Sequence, residues 1–125
     1  MYDKELVTFI FQQIQSSLFT ISQRFENIKR FSDFNDTDEG TEKLDSICMQ
    51  FIAIGESLKN IDKITGNTLL NKYPEINWKG VKKFRDILSH HYFDIDAEEI
   101  YWLCSIELPK LLKTVKIILT DLKNK

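Results

Sequence analysis

Apolar residues recur at alternating steps of four and three through the first half of the chain. This spacing places them on one face of a helix. In the first 30 residues the face consists of Val7, Phe11, Ile14, Leu18, Ile21, Phe25 and Ile28. The same spacing returns in Leu44, Ile47, Phe51, Ile54, Leu58 and Ile61. The pattern predicts two long helices that pack antiparallel to each other after a short connection.

Two less periodic segments flank the second predicted helix. The segment "FSDFNDTDEG" is rich in acidic and turn-forming residues and predicts the first loop, in which Asp36 and Glu39 have the spacing of a capping box. The segment "ITGNTLLNKYPEIN" contains Gly66 and Pro74. We expect a short helical turn inside a longer connection there.

Periodicity returns in the last third of the chain. Asn77 is a suitable N-cap for a third helix, "WKGVKKFRDILSHH". "FDID" then interrupts the pattern, and Asp96 with Glu99 has the spacing of a second capping box. We expect Pro109 to kink the helix that follows. The apolar face of this final helix consists of Ile100, Cys104, Leu108, Leu111, Val115, Ile118 and Leu122.

No strand-like alternation of useful length appears, so the pattern predicts an all-α, up-and-down bundle of four main helices plus the short helical turn. The 125 residues suit one domain, covering 1–125, and 42% hydrophobic with 29% charged residues is typical of a globular protein. The chain lacks an apolar run of the roughly 18 residues that a membrane span needs, and its start does not resemble a signal peptide. We therefore expect a cytoplasmic protein without membrane contact. Cys48 and Cys104 have no metal-like spacing and are expected to be buried free thiols.

The residue inventory excludes several kinds of site. Four glycines, far apart in the chain, cannot build a phosphate-binding loop or a dinucleotide fingerprint. Two adjacent histidines point in different directions, and no pattern of carboxylates or thiolates completes a metal site. A net charge of −2 argues against a broad nucleic-acid footprint, so any RNA contact must be local. We predict neither a metal nor another cofactor.

After these exclusions, the candidate reactive side chains are the polar residues of the segment "RDILSHHYF". Their chemistry suits phosphoryl transfer at RNA. Histidine titrates near neutral pH and serves as an acid or base, and arginine provides a planar cation for phosphate oxygens. On a straight helix, however, the five-residue step from Arg85 to His90 turns the side chains roughly 140° apart. They converge only if the helix ends or distorts near His90, or if a second copy meets the first. Spacing alone leaves open that His90 merely ends a helix and that Arg85 merely pairs with a carboxylate.

The residues around Arg85 raise two further expectations. Lys82, with Lys79 and Lys83 nearby, could supply a local phosphate-binding surface, although such a cluster taken alone is more often a solvated helix face. Glu56 lies near the apolar face of the second helix, where an unpaired charge is costly. Arg85 is its expected partner, and the alternative is that Glu56 turns out to solvent.

Arg85, His90 and Tyr92 resemble the R-x4-H-x-Y signature of the HepT-like branch of HEPN-domain proteins. "FIAIGESLKN", with its internal Gly55 and Glu56, "YPEINWKGVKKFRDILSHHYFDID" and "ELPKLLKTV" resemble other segments of that branch in the same order. Together these segments cover most of residues 40 to 120.

The resemblance implies a HEPN-like helical bundle that forms a homodimer, with the two signatures facing a shared cleft. It implies a metal-independent endoribonuclease that cuts RNA as the toxin of a toxin–antitoxin pair. The implied partner is an MntA-like minimal nucleotidyltransferase antitoxin, which silences the toxin by attaching AMP to the signature tyrosine, here Tyr92. Arg85 and His90 become the catalytic pair and Asp86 the polar residue beside them, where asparagine is more familiar. No role is carried over to His91.

Two other functions stay open at this point. One is a non-catalytic subunit whose cleft holds a nucleotide or docks the nucleotidyltransferase. The other is a helical dimerisation module whose polar cluster only caps a helix. Dimerisation is also expected on separate grounds, because Phe9, Phe19 and Phe93 lie off the main apolar faces and leave apolar surface to cover.

Overall fold

The computed structural model describes residues 2–124, which form helices and no strand. The α-helices are α1 (Lys4–Phe25), α2 (Asp38–Thr65), α3 (Trp78–His90), α4 (Ala97–Trp102) and α5 (Leu108–Lys123). A π-helical segment, Leu103–Glu107, joins α4 to α5, so these two form one long final helix. The all-α fold with four main helices is therefore confirmed.

The first helix is shorter than its apolar pattern predicts. The Asp3 side chain caps α1 by accepting a hydrogen bond from the Leu6 amide. The helix ends at Phe25, although Ile28 is still buried in the core. A 3₁₀ turn, Phe31–Phe34, follows, and the Asp33 carboxylate accepts the amides of Lys29 and Arg30. This local capping satisfies backbone donors outside the helix, which the apolar period cannot reveal.

The start of α2 corrects the predicted capping box. Thr37, and not Asp36, is the N-cap, and its hydroxyl accepts a hydrogen bond from the Gly40 amide. A side chain at Gly40 would overlap the carbonyl oxygen of Asp33, so a glycine lets the 3₁₀ turn close against α2. The helix ends at Gly66 in the left-handed conformation typical of a C-terminal glycine.

Two predictions in the connection to α3 are confirmed. A 3₁₀ turn at Leu70–Lys72 is the expected short helical turn. Asn77 is the N-cap of α3, with its side-chain oxygen accepting the Gly80 amide. The Trp78 indole donates a hydrogen bond to the Tyr73 carbonyl, 2.9 Å away, which fixes the entry to α3.

The final helix is interrupted before the predicted position. Asp96 caps α4, but it accepts the Glu98 amide and forms no capping box with Glu99. The π-helical segment lies just upstream of Pro109, which occupies the first turn of α5. Because proline has no N–H for the carbonyl four residues earlier, the wider π-helical turn accommodates it. The kink expected at Pro109 stays a prediction.

The core lies between α1, α2 and the final helix, and α3 packs mainly against α2. Both cysteines are buried and free, as predicted. Within residues 2–124, no helix combines the length and apolar character needed to cross a bilayer. The position of α3 on the outside of the bundle leaves its polar side accessible, and the candidate site lies along that side.

Candidate active site

Gly55 allows Arg85 to cross the surface of α2. A side chain at Gly55 would overlap the Cβ of Arg85 and lie 2.7 Å from its Cγ. Only a residue without a Cβ leaves room for the arginine stem where the two helices meet. The Arg85 side chain is accordingly only 23% exposed although it lies at the rim of the helix pair.

Two carboxylates hold the guanidinium of Arg85. Its Nη2 atom forms an ion pair with Glu56, and its Nη1 atom donates to the Asp86 carboxylate at 3.1 Å. The contact between Glu56 and Arg85 is the one we expected from the sequence, although Glu56 itself is exposed and does not sit within the apolar face. The Nε atom of Arg85 is buried without a hydrogen-bond partner. The arginine is therefore fixed in orientation by acids on either side.

Lys59 shares the Asp86 carboxylate with Arg85. Its ammonium lies 2.7 Å from the Asp86 oxygen. The hydrogen bonds from Lys59 and then from Arg85 hold the pKa of the Asp86 carboxyl below its usual value. The sequence interpretation missed Lys59, although its position one helical turn after Glu56 places it on the same side of α2. The negative charge of Asp86 thus interacts with two cations, Lys59 and Arg85, so it compensates the charge of Arg85 only in part.

His90 does not approach Arg85 within one chain. The α-helix continues to its last residue, His90, and His91 is the C-cap, so the whole step from Arg85 is helical. At about 100° per residue, the two side chains point roughly 140° apart. The exposed imidazole of His90 makes no hydrogen bond or ion pair with any residue from 2 to 124. The helix thus ends near His90, as the first route to convergence required, but without a distortion before His90 that would turn the imidazole toward Arg85.

Lys82 has a partner of its own. Its ammonium is paired with the Asp62 carboxylate on α2, and both side chains are largely covered. Lys79 and Lys83, on the same helix, are exposed. The pairing competes with phosphate at Lys82, the lysine that we singled out from the sequence.

Tyr92 lies in a 3₁₀ turn, Tyr92–Asp94, just after α3. Its hydroxyl donates a hydrogen bond to the Asp45 carboxylate near the start of α2. Partial burial, and then the hydrogen bond and charge of Asp45, raise the pKa of the Tyr92 phenol to about 12. Asp45 is the second site residue that sequence reasoning missed, because 47 residues separate it from its partner.

Four polar side-chain contacts join α2 to α3 and to the 3₁₀ turn that follows α3. Asp62 contacts Lys82, Lys59 contacts Asp86, Glu56 contacts Arg85, and Asp45 contacts Tyr92. Positions on α3 rise as positions on α2 fall, except for the adjacent pair Arg85 and Asp86, so the two helices run antiparallel. We call these eight residues the polar seam. His90 lies between its last two contacts.

Most of the chain matches a known protein family. A family model described as ribonuclease HepT-like matches residues 21–118. The chain belongs to the HepT-like ribonuclease family. The matched range contains the whole polar seam and both signature residues of α3. The HEPN-like bundle expected from the resemblance is therefore the fold of the protein.

Several relatives carry related names. The chain is 34% identical over 107 residues to "Putative RNase MJ0127" of Methanocaldococcus jannaschii, covering 79% of this chain and 84% of the relative. It is 36% identical over 66 residues to "Putative RNase TTE0752" of Caldanaerobacter subterraneus, covering 53% and 55%. No solved structure matches the chain significantly.

The described residues of this HepT-like protein do not assemble a metal-ligand cluster. Between residues 2 and 124, no three histidine, cysteine or carboxylate side chains are grouped closely enough to hold a metal ion. The polar groups at the signature are Arg85 with its two acids, the unpaired imidazole of His90 and the Tyr92 phenol. These groups can bind a phosphate and exchange a proton.

Proposed function

We propose that the protein is a metal-independent endoribonuclease, acting in the cytoplasm as the toxin of a HepT/MntA-type toxin–antitoxin pair. The observation that carries the proposal is the membership of the HepT-like ribonuclease family together with the geometry of Arg85. A guanidinium whose orientation is fixed by Glu56 and Asp86 is preorganised for a phosphate oxygen.

The proposed chemistry needs one cation and one acid or base. The 2′-hydroxyl of the RNA attacks the neighbouring phosphorus, and the bond from phosphorus to the 5′-oxygen breaks. Either His90 takes the proton of the attacking hydroxyl while water protonates the leaving oxygen, or water takes the first proton while His90 protonates the leaving oxygen. Arg85 binds the nonbridging oxygens, on which negative charge develops. In doing so it exchanges a contact with Asp86 for one with phosphate, and Lys59 retains the released carboxylate.

The proposed active form is a homodimer. Within one chain Arg85 and His90 diverge, so Arg85 of one protomer acts with His90 of its partner. Exposed apolar side chains support association, with Phe9, Phe19, Trp102, Ile106 and the fully exposed Phe93 among them.

The proposed antitoxin is an MntA-like minimal nucleotidyltransferase that modifies Tyr92. The Tyr92 oxygen attacks the α-phosphorus of ATP, pyrophosphate leaves, and the phenolic proton is released. The tyrosine supports this role because it is 41% exposed and lies two residues from His90, where an added nucleotide would obstruct the RNA site.

Cleavage of RNA in the presence of EDTA tests the nuclease. His90→Ala should abolish cutting, because the proposed acid or base is lost, while the circular dichroism spectrum stays unchanged. His91→Ala is the matched control, since it removes the adjacent exposed imidazole and should leave cleavage intact. Undiminished cutting by His90→Ala would overturn the catalytic assignment.

Intact-mass measurement tests the modification. Incubation with ATP and the nucleotidyltransferase should add one or more AMP units to the wild-type chain. Tyr92→Phe should prevent the addition, whereas Tyr101→Phe, which removes a hydroxyl bonded to the Lys29 carbonyl, should not. Labelling that persists in Tyr92→Phe would place the acceptor elsewhere.

A non-catalytic subunit that docks the nucleotidyltransferase is the second candidate. One observation favours it: Arg85 already has two carboxylate partners, which compete with RNA phosphate. This alternative predicts co-purification with the nucleotidyltransferase and no cleavage by the wild-type protein under any condition.

A further inference from the structure

The segment after α3 has few anchors. Leu88 is the last buried residue of α3, and residues 89–94 are exposed. Among residues 2–124, the hydrogen bond from Tyr92 to Asp45 is the one polar side-chain contact that ties positions 91–94 to the rest of the chain. Helix ends without packing fray, so this contact bears directly on the order of the last turn of α3.

Asp45 and Glu56 lie on the same side of α2. They are separated by eleven residues, which is about three helical turns, so their side chains point within roughly 20° of each other. Glu56 fixes α3 at Arg85, and Asp45 fixes the chain at Tyr92. His90 falls between these two points of attachment, and its imidazole has no hydrogen bond or ion pair within residues 2–124.

We propose that Asp45 is a positioning residue for the RNA-cleaving site and acts through Tyr92. Its carboxylate accepts a hydrogen bond from the Tyr92 hydroxyl. This bond holds the last turn of α3, which contains His90, against α2. Asp45 itself does not touch the substrate. The activity part of this inference rests on the proposed function, whereas the effect on the helix end does not.

The same contact explains how modification would act on the site. A nucleotide joined to the Tyr92 oxygen removes the proton that Asp45 accepts. It also brings a phosphodiester anion against the Asp45 carboxylate, and like charges repel at this distance. Modification would then release the segment that carries His90, in addition to obstructing the cleft.

Backbone amide exchange tests the anchoring directly. In the folded protein the His91 amide donates to the Ile87 carbonyl at 2.9 Å, and this bond reports the integrity of the last turn. Tyr92→Phe and Asp45→Ala should each speed exchange at His91 about fivefold, the effect of losing one hydrogen bond of ordinary strength. Combining the two changes should add nothing, since both remove the same contact. Asp45→Asn keeps a carbonyl acceptor and should retain most of the protection.

Tyr73→Phe is the matched control, because Tyr73 also donates to an aspartate, Asp121 on α5, at 2.6 Å. It should leave exchange at His91 unchanged. In RNA cleavage, Tyr92→Phe and Asp45→Ala should lower kcat about fivefold with little change in KM, and Tyr73→Phe should not.

Unchanged His91 exchange in both Tyr92→Phe and Asp45→Ala would overturn the inference. A fall in kcat of the same size in Tyr73→Phe would also overturn it, because the effect would then be general destabilisation. If the wild-type protein cut no RNA, the proposed function would fail, and the exchange measurement would still decide the role of Asp45.

Discussion

Arg85 owes its orientation to the residues around it more than to its own helix. Gly55 provides the space for its stem, Glu56 binds one edge of the guanidinium, and Asp86 binds another. The adjacent glycine and glutamate on α2 therefore have separate tasks, one steric and one electrostatic. Both tasks serve the same arginine.

Gly55→Ala should disturb Arg85 and lower stability. Overpacking at a helix contact costs about 1–3 kcal/mol, and the higher helix propensity of alanine offsets up to about 1 kcal/mol of it. We expect a net cost of about 1–2 kcal/mol and a fall in Tm of about 3–8 °C, and we expect RNA cleavage to fall further than the loss of folded protein explains. Thermal unfolding and cleavage at low temperature measure the two effects.

Gly80→Ala is the control for this substitution. The three atoms nearest to the added Cβ all belong to the side chain of Asn77, and Gly80 precedes Arg85 by more than one turn of α3. Cleavage should survive there. Equal loss of cleavage in both variants would remove the special role that we assign to Gly55.

Asp86→Asn should strengthen RNA binding. The change removes a negative charge that both Lys59 and Arg85 contact, and it leaves a neutral side chain at the signature. We expect KM for RNA to fall about threefold, the order of a Coulomb effect between groups near the surface. Steady-state cleavage measures it. Asp121→Asn makes the same change in net charge on α5, away from Arg85, and an equal fall in KM there would contradict the local explanation.

At the scale of helices, the apolar period predicted the elements well and their ends less well. The faces of α2 and α3 and the Asn77 cap follow from local spacing. The end of α1 at Phe25, the Thr37 cap and the π-helical segment depend on nearby backbone groups that compete for hydrogen bonds.

The site shows a similar division. The pairing of Glu56 with Arg85 was predicted from the position of Glu56 near an apolar face, and the contact is present although Glu56 is exposed outside that face. Asp45 was not predicted, because its contact with Tyr92 depends on the register of α3 against α2, which the sequence of one helix does not contain.

The two cysteines report on packing between elements. Cys48 lies in α2 and Cys104 in the π-helical segment, and burial raises the pKa of each thiol to about 12. Because only thiolates react, a thiol reagent at about pH 8 should label neither cysteine in the folded protein and both after unfolding. The absorbance of the group that the reagent releases measures the rate of labelling.

The raised thiol pKa values also predict loss of stability in alkali. Unfolded thiols ionise near their ordinary pKa of 9.0, while the folded ones stay protonated to about 12. Their contribution to stability is therefore complete below pH 9.0 and is lost as pH rises toward 12.

In the labelling experiment, rapid labelling of the folded protein at neutral pH would contradict the buried state of both thiols.

For the whole molecule, the divergence of Arg85 and His90 means that the proposed active site needs residues from both protomers of the proposed dimer. Mixing Arg85→Ala and His90→Ala proteins, each inactive alone, should restore cleavage after subunit exchange. Half of the dimers are mixed and each has one intact site of two, so roughly one quarter of wild-type activity should return.

Refolding the two variants together and measuring RNA cleavage tests this expectation. Mixing either variant with itself is the control. If the mixture stayed inactive although mixed dimers formed, each protomer would hold its own complete site, and the arrangement across the dimer would be wrong.

The charges of the polar seam also predict how RNA binding should depend on salt. It contains four carboxylates and three cations, which are Asp45, Glu56, Asp62, Asp86, Lys59, Lys82 and Arg85. With its positive charges internally compensated, binding at the seam displaces few counterions from RNA. The logarithm of affinity should fall with the logarithm of salt concentration with a slope of only about −1, as for one or two phosphate contacts on a single strand. Such a protein would recognise RNA by shape and exposed bases, with little electrostatic steering, and its affinity would change little as the ionic strength rises.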